Sequence, residues 1–265
     1  EATRKLFGKV FVDISAPLNV SFLLENADFI SGMSAKGWGN TSPATGWGEM
    51  EVYHSAFTLE QDATVPLGAY EVGFHSLYRE DGSGSAPTLT VKTGKGTYTG
   101  KTPLMGTLDY AVTNTSGNNW SSSNGKIQPN GMQSCGQALA HGDAMAWAKN
   151  VAVSATGAIN IKYAVTSGNQ WANFQGFELI FKGIDRSELV ASLKSTISEA
   201  TTLYGNGSGK GADALKATVD ASSAVYSDAN ATNTELKGAI RRYSPETGIF
   251  LRAYDGKIRY YSITA

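Results

Sequence analysis

The sequence predicts a multidomain chain: an antiparallel β-sandwich followed by a three-helix bundle, with β-strands at both ends. Three observations carry that expectation. Short runs alternate apolar and polar residues up to Gly183, separated by Gly, Asn, Ser and Pro clusters. After Gly183 the apolar period lengthens to three or four residues. Residues 249–261 then return to strand-like runs around an Asp-Gly pair.

The strand signals come first. Ala69-Tyr70-Glu71-Val72-Gly73-Phe74-His75 and Thr88-Leu89-Thr90-Val91-Lys92 alternate with period two. Val151–Val153, Ile159–Tyr163 and Phe177–Phe181 extend the set, and strands of this length and spacing imply a sandwich or barrel over residues 14–183. The helical region spans 185–243. Asp185, with Glu188 three residues on, forms a capping-box pair. Leu189, Leu193, Ile197 and Ala200 make a one-sided apolar stripe. Gly205–Gly209 breaks it, and Ala212, Leu215, Val219, Ser222 and Tyr226 form a second stripe. Thr232 or Asn233 caps a third helix carrying Leu236, Ala239 and Ile240. Short links between amphipathic helices predict an antiparallel bundle. Residues 244–265 read as a hairpin turning at Asp255-Gly256, paired with a strand at 4–12 or opening a further domain.

Composition narrows the function. Lys and Arg number 22 against 23 Asp and Glu, so there is no basic excess for binding nucleic acid by charge. Hydrophobic residues make up 41% of the chain, enough to bury a core. No apolar run reaches the length of a membrane helix. Cys135 is the one cysteine, which excludes an intrachain disulfide and a multi-cysteine zinc site. No Gly-x-Ser-x-Gly elbow, dinucleotide fingerprint or phosphate loop occurs, so no catalytic residue is assigned. Glu49 and Glu51 share one strand face, a pair that glycoside hydrolysis could use across a cleft. Two carboxylates two residues apart on a strand are more simply a solvated face.

Leu24-Glu25-Asn26-Ala27-Asp28-Phe29 followed by Gly37-Trp38 resembles the opening of carbohydrate-binding modules with a galactose-binding-like jelly roll. Pro66–Val72, Phe74–Arg79, Pro129–Met132 and Trp171–Leu179 resemble its later strands. Residues 185–243 resemble the FIVAR type of three-helix module, with Ala231–Leu236 matching its third-helix start. The resemblance implies a non-catalytic module that binds polysaccharide or oligosaccharide, in a secreted, periplasmic or cell-surface bacterial carbohydrate-active protein with a neighbouring catalytic or surface domain. The alternative is a structural spacer or docking unit without a sugar site.

Sugar binding needs flat rings for the C–H face of a pyranose and planar polar groups for its hydroxyls. Trp47, Trp120 and Trp171 lie in Gly/Asn/Ser-rich contexts, and Asn119 sets an amide beside Trp120. Tyr78 and Arg79 end a strand, where a guanidinium could fork onto a hydroxyl pair or a uronate, or pair with a nearby carboxylate. These six are the candidate ligand residues. Trp120 reads best as a ligand contact, Trp47 and Trp171 are open between ligand and core, and Trp38 and Trp147 read as packing. Related jelly rolls hold a structural calcium; Asp28 and Glu178 fit that pattern, whereas Ile30 and Gln175 stand where acidic residues are expected. No other cofactor is implied.

Overall fold

A computed structural model describes residues 16–29, 34–39, 41–82, 85–110, 119–123, 125–154, 157–166, 168, 170–205, 212–243, 249–254 and 257–262. The described residues fall into two compact units. One comprises Ala16–Val65 and Ala69–Lys182; the other includes Pro66–Gly68 and the residues from Gly183 onward.

The first unit contains β1 (Leu18–Asn19), β2 (Ala44–Gly46), β3 (Glu49–Tyr53), β4 (Phe57–Thr64), β5 (Gly68–Glu80), β6 (Thr88–Thr93) and β7 (Gly96–Lys101). It continues with β8 (Trp120–Ser123), β9 (Lys126–Pro129), helix α1 (Met132–Ala140), β10 (Met145–Val153), β11 (Ala158–Val165) and β12 (Gln170–Gly183). One sheet has the order β10-β5-β12-β3-β2, with β1 also on β12; the other has the order β4-β11-β6-β7. The registered ladders of both are antiparallel. This is a β-sandwich.

Its core follows from the period-two pattern. Phe74 on β5 and Phe174 on β12 face Phe57 and Tyr163 of the opposite sheet, with ring centroids 4.4 Å apart for Phe74–Tyr163 and 5.8 Å for Phe57–Phe174. Trp38 is fully buried and stacks on Phe177 at 3.9 Å, while its Nε1 donates to the Glu25 carbonyl at 2.9 Å. Gln61 ties the same loop to β4, donating to the carbonyls of Glu25 and Gly37. Burial of these rings, each contributing a large apolar area, is the main stabilising term of this unit.

The second unit contains α2 (Arg186–Gly205), α3 (Ala212–Ser227) and α4 (Asn233–Arg241), each in contact with the other two. Leu189, Leu193, Leu215, Leu236 and Ile240 are buried in its helices. Asp185 accepts from the Glu188 amide at 3.0 Å at the start of α2. Thr232, not Asn233, caps α4 through a reciprocal capping box with Glu235. The Arg186 guanidinium donates to the Ala231 and Ala229 carbonyls, joining the start of α2 to the loop before α4. Further on, β13 (Ile249–Tyr254) and β14 (Lys257–Ser262) pair antiparallel with Tyr254 opposite Lys257. The Asp255-Gly256 turn and the expected strand at 4–12 lie outside the described residues, as do Ile30 and most of the Gly205–Gly209 breaker.

Candidate functional site: a cleft on the outer face of the sandwich

The face of β3, β5 and β12 turned away from the aromatic core is not open to solvent throughout. Helix α1 lies over it. Its Cys135, Ala138 and Leu139 pack with Leu77, Met105, Ala144 and Trp171, with Leu108, Tyr110 and Trp120 at the edge. Gly136 permits the close approach, because a Cβ there would stand 2.3 Å from the Trp47 carbonyl oxygen. Glu49 therefore lies beneath the helix, 1% exposed. This corrects the reading of Glu49 and Glu51 as a solvated pair: the strand alternates as expected, but a helix more than eighty residues downstream covers half of that face.

Where α1 begins, an open cleft of about 350 Å³ remains, lined by Glu51, Tyr53, Arg79, Asn130, Gly131, Met132 and Trp171. Strand register builds it. Trp171 pairs with Tyr53 and Asn173 with Glu51 across β12 and β3, and cross-strand partners share a face. Arg79 reaches in from β5, which flanks β12 on the side away from β3. The Asn130 amide donates to the Asn119 carbonyl at 2.8 Å, and Ser134 Oγ donates to that same carbonyl at 2.7 Å, which fixes the start of α1 against the β8–β9 hairpin.

The cleft is held by a continuous polar network. Trp171 Nε1 donates to Glu51 Oε2 at 2.6 Å. The Arg79 guanidinium lies over the Trp171 ring at 4.7 Å, a cation–π contact. It also forks onto Asp81, with Nε to Oδ1 at 2.8 Å and Nη2 to Oδ2 at 3.1 Å, and Nη1 donates to Asn130 Oδ1 at 3.0 Å. This hydrogen-bonded pairing raises the Arg79 pKa and lowers that of Asp81. His54 Nε2 bonds Asp81 Oδ2 at 3.0 Å, and its ring stacks on Tyr53 at 3.8 Å. Tyr53 is 56% exposed at the rim.

Beneath the cleft, Asn173 is fully buried. With its amide oriented to suit both neighbours, Nδ2 donates to the two Glu49 oxygens at 3.3 and 3.2 Å and Oδ1 accepts from Trp171 Nε1 at 3.3 Å. Burial, and then the charge of Glu51, push the Glu49 carboxyl up to about 9. Burial, with Glu49 and Glu51 adding to it, also pushes the Cys135 thiol well above its ordinary value.

Of the six candidate ligand residues, Arg79 and Trp171 line the cleft. Trp171 is 5% exposed, so it meets the cleft mainly through its bonded edge and the guanidinium above it. Trp47 is 68% exposed at the β2–β3 turn, at a positive φ of 55°, and does not line the cleft. Trp120 is half-buried, donates from Nε1 to Gln137 at 3.0 Å and meets Tyr110 edge-on. Asn119 is exposed beside it. Tyr78 is buried, its hydroxyl 3.5 Å from Glu80. Sequence reasoning missed Tyr53, Glu51 and Asn130 as partners in one site. It also missed α1, whose Cys135, Ala138 and Leu139 carry the helical three-and-four spacing that could have revealed it.

Glu178 bonds His75 Nε2 at 2.9 Å, and Asp28 is exposed in a turn. Among the described residues no group of three or more His, Cys, Asp and Glu side chains stands close enough to hold a metal ion. Among the same residues no helix is long and apolar enough to cross a membrane.

The fold is that of a β-sandwich module with a small cleft lined by polar and aromatic side chains. No family model matches the chain, and no curated protein matches it. Among solved structures it is similar to a carbohydrate-binding module, TmCBM61 in complex with β-1,4-galactotriose, at 17% identity and a TM-score of 0.36, over 60% of this chain and 98% of that one.

Proposed function

We propose that the sandwich is a non-catalytic glycan-binding module, and that the Glu51–Tyr53–Arg79–Asn130–Trp171 cleft is its sugar site. The observation that carries this reading is the combination within one cleft. An exposed Tyr53 ring stands beside a planar guanidinium, an amide and a carboxylate. A pyranose needs that pairing, with its C–H face on a ring and its hydroxyls on planar donors and acceptors. Beyond these bonds, and among the described residues, Arg79 retains unused N–H groups, Asn130 its Nδ2 and Glu51 its Oε1.

The same geometry supports a binding role over hydrolysis. A glycosidase needs a protonated acid facing the scissile bond. Here Glu49, the carboxyl raised by burial, is sealed under α1, and Asp81 is held ionised by Arg79. The module is a jelly roll in this reading, and α2, α3 and α4 form a FIVAR-like bundle that spaces it from a neighbouring catalytic or surface domain of a secreted, periplasmic or cell-surface bacterial protein.

The test is retention of the full chain on a panel of immobilised plant, host and microbial polysaccharides, β-1,4-galactan among them, with Tyr53→Ala and Arg79→Ala alongside. Selective retention lost in both variants supports the reading. No retention of folded protein returns the chain to the spacer reading.

A further inference from the structure

Glu49 has no part in the surface of the cleft, yet it is the most deeply placed carboxyl of the network beneath it. Its neighbours come from three elements. On its own strand Glu51 stands two residues on, facing the cleft with one oxygen committed to Trp171. On β12 the fully buried Asn173 links it to the Trp171 indole. On α1 Cys135 and Gly136 sit over it, and a Cβ added to Gly136 would stand 3.5 Å from Glu49 Cγ. The titratable and charged groups facing Glu49 are thus Glu51 and Cys135. Arg79 is the cation beyond them, and its ion-pairing atoms are already engaged by Asp81. No cation among these is free to compensate a charge on Glu49, and a buried, unpaired carboxylate is costly.

We propose that Glu49 is a positioning residue of the cleft: its buried carboxyl holds Asn173 and through it the Trp171 indole, and disturbing it loosens both the cleft floor and the seat of α1. Two features beyond its titration support this. The carboxyl is the end of an unbroken chain of contacts, Glu49–Asn173–Trp171–Glu51, that reaches the solvent-facing wall. The helix that seals it also supplies Asn130, Gly131 and Met132, the opposite wall, from its first turn and the residues just before it. A change at Glu49 therefore acts on both walls at once. The consequence for binding rests on the glycan reading; the positioning itself does not.

The test needs no ligand. In the ¹³C,¹⁵N-labelled full chain the Trp171 indole N–H resonance, identified by its loss in Trp171→Phe, is followed from pH 6 to 11 beside the Glu49 side-chain carboxyl carbon, identified by its loss in Glu49→Gln. The expected result is that both move together with a midpoint near 9, and that the indole movement is absent in Glu49→Gln, which keeps the shape and one acceptor oxygen for Asn173 without ionising. Three results would overturn the assignment: a Glu49 carboxyl that titrates in the ordinary carboxylate range, an indole resonance that stays still while the carboxyl titrates, or an unchanged indole movement in Glu49→Gln. If Glu49→Gln does not fold, the wild-type carboxyl and indole titrations decide alone. A chain that retains no polysaccharide leaves this result intact, so the two readings fail separately.

Discussion

Strand β12 runs through two unlike environments. On one face Phe174 packs into a cluster of aromatic rings drawn from both sheets; on the other Trp171 and Asn173 sit in a hydrogen-bonded polar network beneath a helix. Both faces are buried there, with Trp171 5% exposed and Phe174 fully buried. The inner face is held by area removed from water, which is non-directional and tolerates rearrangement of rings. The outer face is held by groups whose partners must be in place, since each loses its bond outright when one moves. The difference teaches that burial alone does not mark this sheet's structural side. The kind of interaction does, and the side that leads to a solvent-open cleft is the polar one.

The largest test of that contrast is on the inner face. Phe174→Ala removes a ring from the aromatic cluster, and we expect a loss of about 3–5 kcal/mol in urea unfolding. A loss under about 1 kcal/mol would mean the cluster is not the main stabilising element.

Glu49→Gln is next in size and opposite in sign. The folded-state pKa of Glu49 lies near 9, above its ordinary value of 4.5. The folded chain therefore keeps a proton that the unfolded chain gives up between those values. Its stabilising share is complete below about pH 4.5 and is lost as pH rises through 9. Removing the ionisable group should raise stability at pH 7 by on the order of 3 kcal/mol. That advantage should vanish near pH 4 and grow toward pH 9, as followed by urea unfolding at each pH. A pH-independent difference between variant and wild type would contradict it.

The contrast also explains what the sequence could reveal. Period-two alternation at Ala69–His75 placed β5, and the spacing of Asp185 with Glu188 and a cap at Thr232 or Asn233 marked helix starts, because those signals are local. Phe74 and Tyr163 of the inner aromatic cluster lie on the apolar positions of such alternating runs. The outer face did not. Glu49, Glu51 and Tyr53 alternate like any solvated strand, and only the fold brings α1 onto Glu49 and leaves Glu51 at the cleft. Arg79 was a candidate for its forked chemistry, but its seat over Trp171 spans ninety-two positions of sequence and depends on β5 and β12 being neighbours. Local pattern carries no such information.

Smaller effects belong to the rim. Asp81 is held below the ordinary carboxylate range, chiefly by the hydrogen bonds from Arg79. A depressed folded pKa contributes stability that is present above the unfolded value and lost as pH falls through the folded one. Asp81→Asn should cost about 1 kcal/mol or less at pH 7, because the pair is partly solvated, and nothing in strong acid. Thermal unfolding at pH 7 and pH 2 checks this, and an equal loss at both would assign Asp81 a role other than its charge.

The smallest expected effect on stability accompanies the largest on binding. Tyr53 is exposed at the rim, so Tyr53→Ala should shift unfolding by no more than about 0.5 kcal/mol. The most direct measurement of the central claim is affinity electrophoresis of wild type and Tyr53→Ala through whichever polysaccharide retains the full chain. The cleft account predicts at least a tenfold loss of affinity, about 1.4 kcal/mol, in a variant that melts like wild type. Undiminished retention of Tyr53→Ala would contradict it and move the sugar site off this face.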